Sequence, residues 1–316
     1  MYEIPWFLSG ERKTFEGIAS PELGILWKYF SNIRYFYIFY RNVFLLQNFE
    51  AMFLWNEKAI QIVAGPCSVE SEEQLFATAR GLKKIGIQTL RGGIWKPRSR
   101  AHHFEGVGEP GLRWLQQVQQ ELSMQVATPR QAEVALKYGI DILWIGARTT
   151  VSPFMIQEIA EVLRGGDTPV MLKNPVCPDL ELWTGAVERL LDIDLKQLSL
   201  IHRGFSVLDA APYRNIPCLE MALEMKKRFP GLPLFCDPSH ICGKRGLLYG
   251  ICAEALRLDM DGLFIESHCC PEVALSDAAQ QLTPEALGKM FENLGIRQVE
   301  NNKLHLGCEI LIQRKG

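Results

Sequence analysis

Between residues 60 and 295 the chain alternates short apolar runs with segments whose apolar residues recur at helical spacing. Eight runs stand out, at residues 60–64, 88–90, 125–127, 142–145, 169–172, 198–201, 234–236 and 262–265. Runs this short suit strands buried on both faces. The segments between them carry sets such as Leu75, Ala79 and Leu82, then Val134, Ala135 and Tyr138, then Leu219, Leu223 and Met225. A period of three to four residues gathers such side chains on one face of a helix. Helix-start signals agree: Ser71 with Gln74 three residues on, Thr128-Pro129, and Thr283-Pro284-Glu285. Strands separated by helices form parallel sheets, and eight is the number that closes a TIM (β/α)8 barrel. An open doubly wound sheet is the competing arrangement, but no G-x-G-x-x-G follows the first run.

The flanks do not join this alternation, which divides the chain into an N-terminal extension at 1–58, the barrel at 59–297 and a tail at 298–316. The extension does not read as a ferredoxin-like regulatory module, and the tail is too short for a further domain. Its apolar stretch at 29–55 is broken by Asn32, Arg34, Arg41, Asn42 and Gln47, which argues against a membrane span. No basic segment followed by an apolar one opens the chain, so the expected location is cytoplasmic. With 34 Lys+Arg against 36 Asp+Glu the chain has no basic field to gather nucleic acid or anionic lipid. Any anion site must be local. The odd number of cysteines, nine, spread through a long chain fits a reducing compartment and mostly buried thiols.

Active sites of such barrels lie where strands end, and unusual residues fall there repeatedly. The runs are followed by Gly65-Pro66-Cys67-Ser68, Arg91-Gly92-Gly93-Ile94-Trp95-Lys96-Pro97-Arg98-Ser99, Gly146-Ala147-Arg148, Lys173, His202-Arg203-Gly204, Asp237-Pro238-Ser239-His240 and Glu266-Ser267-His268. A lone lysine after an apolar run is usually a solvated strand end. Arg91, Lys96, Arg98, Arg148, Lys173 and Arg203 at one rim would repel one another, and so point to a ligand with several negative charges, phosphate above all. Cys67, His240, Glu266 and Asp277 form a second constellation. Thiolate, imidazole and carboxylates can surround one divalent transition ion. The bland alternative has Cys67 merely buried, Asp277 capping a helix and His240 bonded into the core.

In order and spacing these motifs resemble the type I 3-deoxy-D-arabino-heptulosonate-7-phosphate (DAHP) synthases, most closely the branch with Asp-Pro-Ser-His-Ile-Cys-Gly-Lys-Arg, here 237–245. The resemblance implies condensation of phosphoenolpyruvate with erythrose 4-phosphate in the shikimate pathway. It implies a homo-oligomer, dimer or tetramer, with one divalent metal ion, Mn²⁺, Fe²⁺, Zn²⁺ or Co²⁺, on Cys67, His240, Glu266 and Asp277. It places Arg91, Lys96, Arg148 with its neighbour Ala147, Lys173 and Arg203 on phosphoenolpyruvate. Lys96, Pro97, Arg98 and Ser99 would receive erythrose 4-phosphate, and Lys96 and Asp237 would be catalytic. Two rivals are weighed against it: 3-deoxy-D-manno-octulosonate-8-phosphate synthase, which has Ala-Asn-Arg where this chain has Pro97-Arg98 after Lys96, and a non-catalytic barrel scaffold.

Overall fold

Eight parallel strands close on themselves: Gln61–Gly65 (β1), Thr89–Gly92 (β2), Glu121–Val126 (β3), Ile142–Ile145 (β4), Val170–Lys173 (β5), Leu198–His202 (β6), Leu234–Cys236 (β7) and Gly262–Glu266 (β8). Each pairs with the next, and β8 pairs with β1 from Gln61↔Gly262 to Gly65↔Glu266. This computed structural model describes residues 60–98, 101–118 and 120–296. The expectations for 1–58, 298–316, Ser99 and Cys308 lie outside the described residues.

The helices are Glu72–Lys84 (α1), Pro110–Gln116 (α2), Pro129–Lys137 (α3), Ala147–Thr150 (α4), Pro153–Leu163 (α5), Leu180–Leu191 (α6), Leu219–Arg228 (α7), Pro238–Cys242 (α8), Leu248–Arg257 (α9) and Pro284–Asn293 (α10). Several start where the sequence says they should. Ser71, Thr128 and Thr283 each accept a hydrogen bond from the backbone N–H three residues on, meeting a donor that a helix leaves unpaired. α1 buries Leu75, Ala79 and Leu82 as its spacing predicts. α7 differs, since its buried face is Ala222 and Met225 while Leu219 and Leu223 lie at its edge. No helix among the described residues is long and apolar enough to cross a membrane.

Side chains alternate along a strand, and here both sets are buried. Outward residues such as Ile62, Ala64, Leu90, Leu143, Leu172, Leu200 and Ile265 join the core beneath the helices. Val63, Ile142, Trp144, Met171, Ile201, Phe235 and Phe264 fill the barrel interior. Gly262 makes room for this filling, because a Cβ there would stand 2.2 Å from the Phe235 ring. Burial on both faces is why strands such as β4, β5, β7 and β8 read as short apolar runs.

β3 departs from that reading. It occupies Glu121–Val126 rather than 125–127. Leu122, Met124 and Val126 join the outer core, while Ser123 is buried opposite Arg91. Thr89 donates to the side chain of Glu121, its own partner across the β2–β3 pair, at 2.6 Å. The interior is polar in this sector, so the strand alternates instead of running apolar.

The same period of two builds the rim. One inward step beyond Met171, Ile201, Phe235 and Phe264 stand Lys173, Arg203, Asp237 and Glu266, and beyond Thr89 stands Arg91. Apolar filling and charged mouth are thus consecutive layers of one register.

Candidate active site

Cys67 Sγ and carboxylate oxygens of Glu266 and Asp277 lie within 4.8 Å of one another. His240 presents Nε2 to the same place, 3.7 Å from Glu266 Oε1 and 3.9 Å from Asp277 Oδ2. The loop after β1, helix α8 after β7, the end of β8 and the loop beyond it each supply one group. Asp277 sits in left-handed conformation and its side chain makes no helix-capping bond, so it is not spent as a cap. Its Oδ2 accepts from the Cys67 thiol at 3.1 Å and its Oδ1 from Arg214 at 3.0 Å.

Burial above all, then Glu266, pushes the Cys67 thiol up to about 12, with Asp277 adding to the effect against the opposing Lys96. Arg91 offsets Glu266 and Arg214 offsets Asp277 from outside the cluster, while the thiol stays protonated; ionising it beside two carboxylates calls for a further cation among the donors. Burial also pushes His240 down to about 4, so its imidazole is neutral at neutral pH. Asp237 Oδ2 lies 2.8 Å from His240 Nδ1, although off the line of a hydrogen bond. A carboxylate on that side favours the tautomer that leaves the Nε2 lone pair facing Glu266 and Asp277. Soft sulfur, neutral imidazole and two carboxylates fit a divalent transition ion better than magnesium or calcium.

Beside this cluster stand the cations. Arg91 is 1 % exposed, pairs with Glu266 at 3.1 Å, and lies over the rings of Phe264 (4.5 Å) and Trp144 (5.1 Å). Among the described residues its Nε and Nη1 have no hydrogen-bond partner. Unmet buried N–H groups cost on the order of 1–3 kcal/mol each, which favours an anion there. Lys173 pairs with Asp237 at 2.7 Å. Burial brings its ammonium down to about 8, against the pull of Asp237 and with the push of Arg91 and Arg203. Arg203 feels Arg148 and Arg214 and is brought down to about 10, chiefly by burial. Arg91, Lys173, Arg203 and Arg148 therefore share one mouth. Their repulsion is relieved only in part from within, because Glu266 and Asp237 neutralise two of them. Among the described residues no carboxylate pairs with Arg203 or with the exposed Arg148.

Lys96 bends toward the thiol, with Nζ 3.0 Å from Cys67 Sγ and 2.9 Å from Cys67 O. Pro97 is exposed, Arg98 donates to Phe104 O at 2.8 Å, and Ala147 is buried in the first turn of α4. Ser99, the last residue of the Lys96-Pro97-Arg98-Ser99 run, lies outside the described residues.

Several groups that hold the site escape a reading based on strand-end charge. Gln280 donates to Glu266 Oε2 at 2.7 Å, and Gln281 accepts from the Cys67 N–H at 3.0 Å. Ser239 Oγ accepts from the Glu266 N–H at 2.9 Å. Asn174 and Asn215 contact Arg203. Asn174, directly after Lys173, and Ser239, inside the Asp237-Pro238-Ser239-His240 run, carried a signal in their position; the glutamines and Asn215 did not.

A model of the DAHP synthetase I family matches residues 46–299. The phospho-2-dehydro-3-deoxyheptonate aldolase of Thermotoga maritima is 31% identical over 241 residues, spanning 74% of this chain and 68% of that protein. A 2-dehydro-3-deoxyphosphooctonate aldolase of Alkalilimnicola ehrlichii is 26% identical over 261 residues, spanning 75% of this chain and 90% of its own. The crystal structure of the Thermotoga maritima DAHP synthase superposes with a TM-score of 0.68 at 28% identity, over 75% of this chain and 68% of that one. With its closed barrel, its strand-end charges and a family match across most of its length, the chain belongs to the DAHP synthetase I family.

Proposed function

We propose that this chain condenses phosphoenolpyruvate with erythrose 4-phosphate and water to give DAHP and phosphate, the first step of the shikimate pathway, using the residues gathered at the barrel mouth. The observation that carries this reading is the meeting of cations from separate strand ends beside the Cys67, Glu266 and Asp277 cluster with His240 facing it, in a chain of this family.

Arg91, Lys173, Arg203 and Arg148 hold the phosphate and carboxylate of phosphoenolpyruvate, the arginines through paired N–H donors. Arg98 and the segment around it receive the phosphate of the sugar. Held this way, C3 of phosphoenolpyruvate faces the aldehyde carbon, and orientation replaces a chance encounter. A C–C bond forms, the aldehyde oxygen takes a proton, water adds at C2, and the C2–O bond to phosphate breaks. Lys96 supplies the proton to the aldehyde oxygen, and the cationic rim stabilises charge on the phosphoenolpyruvate-derived fragment. Asp237 keeps Lys173 and His240 in place. Cys67, His240, Glu266 and Asp277 hold a divalent transition ion, which when bound supplies a Lewis acid for the aldehyde and a template for orientation. We further propose that the chain acts in the cytoplasm as a homo-oligomer.

Parallel assays of phosphate release with erythrose 4-phosphate and arabinose 5-phosphate test the substrate. Erythrose 4-phosphate is expected to win, in keeping with Pro97-Arg98 after Lys96. Preference for arabinose 5-phosphate would overturn the reading in favour of the octulosonate enzyme.

A pH profile tests the cation set. Lys173 is protonated below about 8 and neutral above, and only the protonated form attracts the substrate anion. The kcat/KM for phosphoenolpyruvate should therefore be level below that pH and fall above it, by up to about tenfold per pH unit. Lys173→Met should remove this limb. A wild-type profile that stays flat well past that pH argues against Lys173 as a phosphoenolpyruvate contact.

A further inference from the structure

We propose that Asn215 is a positioning residue that acts through Arg203, aiming its guanidinium at phosphoenolpyruvate and tying it to the helix that carries His240. The proposal rests on the assignment of Arg203 to that substrate.

The backbone of Arg203 is already fixed. Its N–H donates to Asn174 Oδ1 at 2.7 Å, and Asn174 Nδ2 donates to Gly204 O at 2.9 Å. Gly204 adopts a φ of +72°, and a Cβ there would meet Ile216 O at 2.8 Å and Asn215 Cβ at 3.1 Å. This close approach brings Asn215 beside Arg203. What remains free is the long side chain, and Asn215 restrains it: Arg203 Nη1 donates to Asn215 Oδ1 at 3.0 Å.

Asn215 is itself firmly held. It is 3 % exposed, its Nδ2 donates to His240 O at 2.6 Å, and its N–H donates to Ile241 O at 3.1 Å. Turning the amide over would set NH₂ against the guanidinium and oxygen against the His240 carbonyl, so only one orientation is sustainable. The amide therefore spans from the proposed phosphate-binding cation to α8.

The chemistry of the acceptor matters. Arg91 and Lys173 are oriented by carboxylates, which cancel part of their charge. Arg203 is oriented by a neutral amide, which cancels none of its charge, and Asp237 and Asp277 act on it only from beyond ion-pair distance. Asn215 thus restrains without neutralising.

The test compares Asn215→Leu, Arg203→Met and the double variant, with thermal melting to follow the fold. Asn215→Leu should raise KM for phosphoenolpyruvate about tenfold, the loss of one hydrogen bond to a charged group. KM for erythrose 4-phosphate and kcat at saturation should stay within about threefold. The double variant should match Arg203→Met alone, because a residue acting through another adds nothing once that other is gone. Additive losses, equal rises in both KM values, or no change in Asn215→Leu would each overturn the proposal. If Arg203→Met itself leaves KM for phosphoenolpyruvate unchanged, the substrate assignment has failed, and this inference with it. Should Asn215→Leu not fold, Asn215→Ser keeps a hydroxyl near His240 O but withdraws from Arg203, and the same split is expected.

Discussion

Cys67→Ala is expected to lower turnover by at least about 10³-fold and to abolish retention of one equivalent of Mn²⁺, since loss of Lewis-acid assistance removes several kcal/mol of barrier lowering. The barrel should survive. The Cys67 N–H donates to Gln281 and its carbonyl accepts from Lys96, and neither bond involves the sulfur. The lost atom leaves a small void, worth about 1 kcal/mol, or a shift of roughly 2–4 °C in Tm for a domain of this size. With no cation at hand the buried thiol stays protonated and bonds to Asp277, so nothing in the fold requires a thiolate. A thiolate is called for only with the proposed ion among the four groups. Equilibrium dialysis, circular dichroism and steady-state kinetics on one preparation would separate the outcomes. If the variant keeps near-normal turnover that a chelator still abolishes, Cys67 is not a ligand although the ion remains.

How much of this was visible in the amino-acid order follows from where each signal is stored. Strand positions are stored locally. A strand buried on both faces is apolar at most positions, so β4 and β7 show themselves directly, as do β8 before Glu266 and β6 around Ser199 and before His202. β3 did not, because its inward side faces Arg91 and Thr89, and the polar Ser123 answers them. Its pattern belongs to a barrel sector that only the closed sheet defines. The charged rim was legible for the same local reason, since Lys173, Asp237 and Glu266 continue the inward parity of an apolar strand.

The pairing within the rim was not legible. The sequence offers cations converging on an anion, while the structure adds that Arg91 leans on Glu266 and Lys173 on Asp237, partners 175 and 64 residues apart. The supporting amides are hidden more deeply. Gln280 and Gln281 follow Asp277 in a loop with no period, and their bonds to Glu266 and Cys67 depend on how that loop folds back over β1 and β8. The cysteine expectation met a mixed outcome. Cys67, Cys236, Cys242 and Cys252 are buried, but Cys177 and Cys270 are exposed, and all eight described cysteines are free thiols.

Lys96→Met is expected to lower kcat by about 10²–10³-fold, the range for removing a positioned proton donor or charge-stabilising group. Mn²⁺ binding and KM for phosphoenolpyruvate should change little. Met keeps the length of the stem, and the Lys96 backbone N–H still donates to Glu105 O, so the loop after β2 has no reason to move. What disappears is one ammonium, 3.0 Å from Cys67 Sγ, between the four-donor cluster and the segment proposed to receive the sugar phosphate. Two roles fit that location. As a fixed charge it would offset Glu266 and Asp277, and Lys96→Arg would then restore activity to within about tenfold. As the donor that protonates the aldehyde oxygen it must release a proton, which a guanidinium does poorly, so Lys96→Arg should stay at least about 10²-fold down. The second outcome is expected, because Arg91 and Arg214 already lie against Glu266 and Asp277 and leave little for a further static charge to do. A Lys96→Met enzyme within about tenfold of wild-type kcat would remove Lys96 from the chemistry altogether.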